Sequence, residues 1–262
     1  MIYCNLKGGL GNMLFQMAAT KSLAIDKNTD FSFPNLVSHL KYLDSDNFYN
    51  PNLKHSFEYV RIFEDFSFSP IKQNVKILTF PFEYVKIGEI KEDVLLDGFF
   101  QSEKYFKHNR KEILDMFVFD FKLDDKYNFL KNKKTTSIHV RRGDYVNHPN
   151  HHPTQSLEYY LEAIKILKDE TELFVVFSDD INWCKENIKL DNVVYIENEK
   201  DYIELYLMSV CTNNIISNSS FSWWGAWLNK NEDKKVIGPL KWFGDAIKHN
   251  TGDILPENWI KL

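Results

Sequence analysis

The segment from His139 to Tyr145, which reads HVRRGDY, places two adjacent arginines at the end of a strand predicted over 135–140. A guanidinium group is permanently charged, and its planar fork of N–H donors suits the oxygens of a phosphate. Side chains alternate faces along a strand, so His139 and Arg141 share one face and Arg142 occupies the other. The pattern predicts a clamp for a small diphosphate ligand, centred on Arg141.

Two alternatives apply to the same segment. Arg142 and Asp144 could form a surface ion pair that closes a tight turn at Gly143. The tripeptide Arg142-Gly143-Asp144 also matches the integrin-type adhesion sequence. Adhesion needs an exposed loop on a secreted protein, and the sequence predicts neither condition.

A glycine-rich turn, GGLGN at residues 8–12, separates the first apolar stretch from an apolar helix. Glycines let a phosphate or a sugar approach the backbone, and free N–H groups at a helix start favour an anion. The spacing differs from the GxGxxG dinucleotide motif, and no Lys-Ser/Thr pair of a P-loop follows. The turn is therefore either a ligand contact or a simple tight turn in which Asn12 caps the helix.

Small hydroxyl residues follow a later strand, in the segment SNSSFSWWGAW at residues 217–227. Serine hydroxyls and N-terminal amides at such a junction can donate to phosphate oxygens, which favours Ser219 and Ser220 as ligand contacts. The three tryptophans of the segment are predicted to anchor the core. In addition, Asp179 and Asp180 follow a strand, where one carboxylate could bind ribose hydroxyls or a base amide and the other could cap a helix.

Two short patterns suggest metals, and we discount both. Asp44 and Asp46 form the DxD pattern that holds a divalent cation in some sugar transferases, but they follow no apolar strand. The cluster of His148, His151 and His152 lacks the Cys or spaced carboxylate that would complete a tetrahedral zinc set. We expect no metal site, whereas one of these histidines could act as an acid or a base.

The composition excludes several classes of protein. The chain has 262 residues, of which 44% are apolar and 15% aromatic, so it can bury a large core. Its formal net charge of −5, without a long cationic run, argues against a nucleic acid or an anionic membrane surface as the main partner. Three widely spaced cysteines, with no apparent signal peptide and no stretch of about 18 apolar residues, predict a cytoplasmic protein without disulfides or membrane insertion.

Short apolar runs alternate with helical patterns, which indicates an α/β fold with mostly parallel sheets. A polar break before residue 134 suggests two domains, 1–133 and 134–262. One helix face is predicted to combine Leu157, Tyr160, Leu161, Ile164 and Leu167. The predicted strands are 1–6, 75–80, 94–99, 135–140, 173–177, 193–196 and 214–217. The predicted helices are 13–25, 102–116, 156–168, 180–188 and 201–211.

Together, these motifs resemble the bacterial α-1,2-fucosyltransferases of glycosyltransferase family eleven. The resemblance is carried by GGLGNMLFQMA, GFFQSEKYF, HVRRGDYV, SLEYYLEAI, FSDD, SNSSFSWWGAWL and LPENWIKL, which span both halves in the expected order. It implies a GT-B fold, in which two Rossmann-like domains face a cleft. GDP-fucose would bind mainly to the C-terminal domain, and the N-terminal domain would lie on the acceptor side.

Carried over by position, the resemblance implies a donor site in the C-terminal half. Arg141 would hold the β-phosphate, with His139 and Asp179 near the guanosine. Three further residues would line the diphosphate and the base: Ser219, Ser220 and Phe221.

In the N-terminal half, the resemblance places Asn12, in the same turn as Gly11, opposite the β-phosphate and the fucose. Met13 stands where many members have Gln, a departure that bears on packing or acceptor shape. The implied reaction is an inverting transfer to a galactose 2-hydroxyl that needs no metal and no cofactor. Asp144 and His152 are the candidates for its general base.

Alternatives remain within and outside this class. The chain could transfer fucose in another linkage, transfer another GDP-sugar, or bind a nucleotide sugar without catalysis. The acceptor is expected to be a terminal galactoside of a surface polysaccharide or glycan. If that acceptor is lipid-linked, peripheral contact with the inner face of the membrane is compatible with the sequence.

Overall fold

The computed structural model describes residues 1–43, 66–117, 119 and 123–262, which form two compact units. The first unit contains the described residues up to 119 together with His249–Pro256. The second contains residues 123–248 and Glu257–Leu262. The division between the units lies between residues 119 and 123, whereas the sequence predicted it after residue 133. One contact within the second unit illustrates this, because the Tyr127 hydroxyl donates to Glu199 Oε1 at 2.6 Å.

The first unit is built on a parallel sheet of four strands in the order β2-β1-β4-β3. β1 and β4 are neighbours, and the chain order reverses between them, so the segments that follow these two strands meet at one edge. Its strands are β1 (Ile2–Cys4), β2 (Phe31–Ser32), β3 (Lys76–Thr79) and β4 (Val94–Asp97). Its α-helices are α1 (Leu10–Asp26), α2 (Leu36–Leu43) and α3 (Arg110–Met116).

Helix α1 is buried on most of its circumference, as its apolar sequence predicts. The continuous helix predicted over 102–116 is wrong in its first half. There, two 3₁₀ turns, Glu103–Tyr105 and Lys107–Asn109, precede α3. Phe106 leaves helical backbone angles between them, and its buried ring lies 6.1 Å from the ring of Phe15. Core packing of this ring thus interrupts the helical pattern.

The second unit holds a parallel sheet of six strands in the order β10-β9-β8-β5-β6-β7. The order reverses at β5 and β8, and this is where ligands bind in open α/β sheets. Its strands are β5 (Thr135–Val140), β6 (Leu173–Ser178), β7 (Val193–Tyr195), β8 (Asn213–Ile215), β9 (Val236–Gly238) and β10 (Ile260–Lys261). Its α-helices are α4 (Phe129–Asn132), α5 (Leu157–Leu167), α6 (Ile181–Asn187), α7 (Asp201–Ser209) and α8 (Ser220–Leu228).

The tryptophans of α8 are part of the second unit's core, as predicted. Trp223, Trp224 and Trp227 are fully or almost fully buried, and the rings of Trp223 and Trp227 stack 6.2 Å apart. The predicted face of α5 is wrong at Leu161, which is 45% exposed. Leu161 lies about 100° around the helix from the buried Tyr160, outside the inward stripe.

The α/β class with parallel sheets is confirmed. All three cysteines, Cys4, Cys184 and Cys211, are buried as free thiols, and burial raises their pKa values to about 12, 11 and 12. Over the described part of the chain, no helix combines the length and the apolarity needed to cross a bilayer.

Helices α7 and α8 approach closely at Gly225. A Cβ atom at this position would lie 2.8 Å from Cβ of Met208, which cannot move independently of its backbone. We expect Gly225→Ala to lower the free energy of unfolding by about 1 kcal/mol or more, because overpacking outweighs the better helix propensity of alanine. Gly88→Ala is the control, since no atom lies within 4 Å of its Cβ position. Urea unfolding curves that showed equal stability for both variants would contradict this packing argument.

Candidate functional site

A largely buried guanidinium lies at the carboxyl end of β5. Arg141 Nη2 donates to Asp144 Oδ1 at 2.6 Å, and Nη1 lies 3.1 Å from Asp179 Oδ2. The Arg141 side chain is only 18% exposed. Burial lowers the pKa of Arg141, but the attraction of Asp179 and Asp144 outweighs burial and raises it above its ordinary value. A fixed positive charge is therefore held where the sheet topology places a ligand.

Arg142 contacts a separate set of residues. Its Nε donates to Asp180 Oδ2 at 2.9 Å, and its guanidinium carbon lies 4.3 Å from the ring centre of Trp183. The alternative ion pair between Arg142 and Asp144 is thus wrong, because Asp144 bonds Arg141 instead. The adhesion alternative fits poorly as well, since both charged groups of the tripeptide are already paired.

The two consecutive aspartates have different tasks. Asp180 caps α6 by accepting a hydrogen bond from the Trp183 amide at 3.3 Å. Asp179 accepts from the Arg142 amide at 2.8 Å through Oδ1, while its buried Oδ2 accepts no hydrogen bond from any described residue. Asp179 therefore holds the Arg142 backbone through one oxygen and faces the Arg141 guanidinium through the other.

His139 supplies an uncharged hydrogen-bonding group next to this charge. Its Nδ1 lies 2.9 Å from Ser217 Oγ, and its ring centre lies 5.6 Å from that of Phe221. Burial, together with the positive charge of Arg141, lowers the pKa of His139 to about 3. The imidazole is consequently neutral at physiological pH.

The start of α8 adds hydroxyls and amides at the neighbouring strand end. Ser219 occupies the N-cap position without a side-chain capping bond, so its hydroxyl is available to another acceptor. Ser220 begins the helix, and Phe221 follows on the side of His139. Because β8 is parallel to β5 and adjacent to it, their carboxyl ends meet. The second unit thus brings together Arg141, Asp144, Asp179, His139, Ser219, Ser220 and Phe221.

The loop that carries His152 packs against residues at the same sheet edge. The His152 ring stacks on Tyr145 at 5.0 Å and meets the ring of Phe243 at 5.6 Å. Tyr145 also contacts Arg141, whose guanidinium carbon lies 5.3 Å from its ring centre. Burial lowers the pKa of His152, which leaves it neutral at physiological pH. A neutral imidazole can accept a proton.

Asn218 and Gly244 hold this loop, and the sequence analysis assigned a role to neither. Asn218 Nδ2 donates to the carbonyl oxygens of Pro153 and Trp242, each at 2.9 Å. A Cβ atom on Gly244 would lie 2.3 Å from the carbonyl oxygen of Asn150, so only glycine fits. The sequence could have indicated Asn218, because this residue directly follows a predicted strand. No feature of the sequence indicated the close backbone approach at Gly244.

The glycine turn of the first unit leads into α1. Gly9 is the N-cap and α1 begins at Leu10, so Asn12 lies in the first turn and the alternative of Asn12 as the cap is wrong. Gly8 has a φ of +79°, a conformation that favours glycine. The amides that open α1, including that of Gly11, lack partners within the helix and can face an anion.

Two side-chain amides and one imidazole hold this turn. Gln16 donates to the Lys7 carbonyl at 2.8 Å and accepts from the Lys7 amide at 3.0 Å. Asn35 pairs with both backbone groups of Leu6 in the same manner, each at 2.8 Å. His39 Nε2 donates to the Gly8 carbonyl at 2.8 Å. Sequence reasoning missed these residues because a hydrophobic pattern does not reveal polar contacts.

No three His, Cys, Asp or Glu side chains among the described residues form a metal ligand set. Asp44 and Asp46 lie outside the described residues.

Comparison with known proteins identifies the family. Residues 1–262 match the model of glycosyl transferase family 11. The chain belongs to this family. This family member is 31% identical to an alpha-1,2-colitosyltransferase of Escherichia coli, over 100% of this chain and 99% of that protein. It is 36% identical to the O-antigen biosynthesis glycosyltransferase WbnK of Escherichia coli, over 66% of this chain and 62% of that protein.

Among solved structures, the family 11 chain resembles the alpha-1,6-fucosyltransferase NodZ soaked with GDP-fucose. The TM-score is 0.47 at 11% identity, over 87% of this chain and 92% of that chain. The family predicted from the motifs is confirmed by the family match, and with it the glycosyltransferase class.

The lowered pKa of His139 predicts acid sensitivity. The unfolded chain gains a proton below pH 6.5 whereas the folded chain stays neutral to about pH 3, so stability falls as the pH drops through this window. Between pH 6 and 4, we expect the free energy of unfolding of His139→Gln to fall less steeply than that of the unmodified protein, by about 1 kcal/mol per pH unit. Urea unfolding at several pH values measures this slope. An unchanged slope, or an equal change in the exposed-site control His148→Gln, would contradict the assignment.

Proposed function

We propose that this glycosyltransferase moves fucose from GDP-fucose to the 2-hydroxyl of a terminal galactoside, forming an α-1,2 linkage with inversion. The observation that carries the proposal is the largely buried guanidinium of Arg141, which two carboxylates hold at the switch point of the second sheet. The names of related proteins support the linkage, since they include an alpha-1,2-colitosyltransferase and a galactoside 2-alpha-L-fucosyltransferase of Caenorhabditis elegans.

In this proposal, the second unit binds the GDP moiety. Arg141 donates to the β-phosphate, and the α8 amides with the Ser219 and Ser220 hydroxyls donate to the remaining diphosphate oxygens. The neutral His139 and the Asp179 carboxylate are proposed to lie near the guanosine, where they suit its uncharged donors and acceptors. Phe221 offers a ring face to the base.

The reaction breaks the bond between the anomeric carbon and a β-phosphate oxygen, and GDP leaves as an anion. The galactose 2-hydroxyl oxygen forms the new bond to the anomeric carbon, and its proton passes to a base. Charge grows on the leaving phosphate in the transition state, where preorganised donors such as Arg141 stabilise it most. Neither step requires a metal in this proposal.

His152 suits the role of base better than Asp144 does. Asp144 is already engaged with Arg141 at 2.6 Å, and orienting that guanidinium is a sufficient task for it. His152 forms no ion pair with any described residue, and its ring is oriented by Tyr145 and Phe243. Gly11 and Asn12 are proposed to contact the β-phosphate and the fucose from the glycine turn of the first unit.

A second donor is favoured by one observation, the match over the whole chain to a protein named as a colitosyltransferase. Colitose lacks the hydroxyl that fucose carries on carbon 3, so one phosphate clamp would serve both donors. We propose an acceptor in a surface polysaccharide, in accord with the O-antigen relative, and it could be lipid-linked. We also propose that the reaction takes place in the cytoplasm.

The primary test is GDP release from GDP-fucose in the presence of EDTA, with and without lactose or N-acetyllactosamine. We expect release that the acceptor stimulates and an α-1,2-linked product by NMR. Faster turnover with GDP-colitose would replace the donor assignment. Tight GDP binding without transfer to any acceptor would favour a nucleotide-sugar-binding protein.

Substitution of the two arginines tests the phosphate clamp. Arg141→Lys keeps the charge but loses the planar fork, and we expect kcat to fall about a hundredfold or more. The matched control is Arg142→Lys, because Arg142 belongs to the same turn but pairs with Asp180. We expect the control to keep kcat within a few-fold. Near-normal turnover in a folded Arg141→Lys protein would disprove the clamp.

The pH profile tests the base. If neutral His152 accepts the proton, kcat/KM falls in acid with an apparent pKa below the usual 6.5, because burial lowers the pKa of His152. We expect His152→Gln to lower kcat about a hundredfold and to remove this acid limb. The control is His151→Gln, at the exposed neighbouring position. An acid limb that persists in His152→Gln but disappears in Asp144→Asn would assign the base to Asp144.

A further inference from the structure

Gln101 contacts the glycine turn from the segment that follows β4. Its Nε2 donates to Asn12 Oδ1 at 2.7 Å, and the residue is only 7% exposed. Its Oε1 is buried and has no hydrogen-bond partner among the described residues. A buried unsatisfied acceptor is costly, so a well-packed side chain that retains one calls for an explanation.

The backbone just before Gln101 is strained. Phe100 has a φ of +54°, in the left-handed region that bulky side chains rarely adopt, and its ring is fully buried. The rings of Phe80 and Tyr105 lie 5.3 and 5.2 Å from it, and a Cβ on Gly98 would lie 3.1 Å from it. Such conformations persist only where the surroundings enforce them, and they cluster at functional sites.

The strained turn directs the Gln101 amide at Asn12. Because Gln101 Nε2 binds Asn12 Oδ1, the remaining donor of Asn12, Nδ2, lies on the side of Gly8. That atom would be only 2.5 Å from a Cβ on Gly8, so the absence of a side chain there leaves room for it. The orientation of the Asn12 amide is thus set by Gln101.

We propose that Gln101 is a positioning residue for the transfer reaction. It orients Asn12 so that an N–H donor, not the amide oxygen, is presented to the sugar and the leaving phosphate. This inference rests on the proposed function, in which Asn12 contacts the donor substrate. The unsatisfied Oε1 is the consequence of aiming Nε2 at Asn12.

A double-mutant cycle tests the proposal. Gln101→Met removes the donor at similar volume, and Gln101→Glu replaces it with an acceptor that would turn the Asn12 amide around. We expect each to lower kcat at least tenfold with the donor KM within about threefold, and to change kcat less than twofold in an Asn12→Ala background. Equal losses in both backgrounds would show a merely structural role and overturn the proposal.

Asn109→Ala provides the matched control. Asn109 is an amide of the same unit that donates to Ser22 and Asp26, away from the glycine turn. We expect this variant to keep kcat and its coupling with Asn12→Ala to be absent. A kcat loss as large as that of Gln101→Met would also overturn the proposal.

A second measurement needs no substrate and therefore separates failure of this proposal from failure of the proposed function. The side-chain amide pair of Asn12 in a ¹⁵N–¹H spectrum is assigned by its disappearance in Asn12→Asp. We expect Gln101→Met to shift this pair, whereas Asn109→Ala leaves it in place. An unmoved pair in Gln101→Met would overturn the orientation, whatever the enzyme transfers.

Discussion

The structure of the second unit depends on one unusual placement, a guanidinium that is largely removed from water. Burying a charge costs several kcal/mol even when it is paired, so an ion pair of this kind is a poor way to gain stability. Asp144 and Asp179 fix the position of the Arg141 guanidinium and keep it charged. Burial keeps His139 neutral, and the positive charge of Arg141 adds to this effect by opposing protonation. The end of this strand thus carries a charged side chain, Arg141, and a neutral one, His139, on the same face.

The first unit solves a different problem with uncharged groups. Its turn combines Gly8, which has a left-handed backbone, with the helix-start amides that have no partner within α1. Such a turn is flexible unless side chains form hydrogen bonds to its backbone groups. Gln16 and Asn35 each satisfy both backbone groups of one residue, much as a neighbouring strand would. A turn that is already rigid loses little entropy when it meets a ligand.

The sequence predicted the elements better than it predicted their contacts. Strand alternation correctly separated Arg141 from Arg142, but the acid that each one meets depends on the register of β6. That register pairs Val140 with Ser178 and so brings Asp179 and Asp180 beside the arginines. No local pattern contains this information. For the same reason, the pattern over 102–116 gave no sign that the burial of Phe106 would interrupt the helix, and the amides of Gln16, Asn35 and Gln101 left no trace in the hydrophobic periodicity.

The burial of the three thiols has a practical consequence for spectroscopy. Cys4, Cys184 and Cys211 are all buried and hold their protons well above neutral pH, so none offers a reactive thiolate to a maleimide or to a nitroxide reagent. The natural chain therefore serves as its own unreactive background. A cysteine introduced on the surface of each unit would take a fluorophore selectively, and energy transfer between the two dyes would report the distance between the units as nucleotide is added.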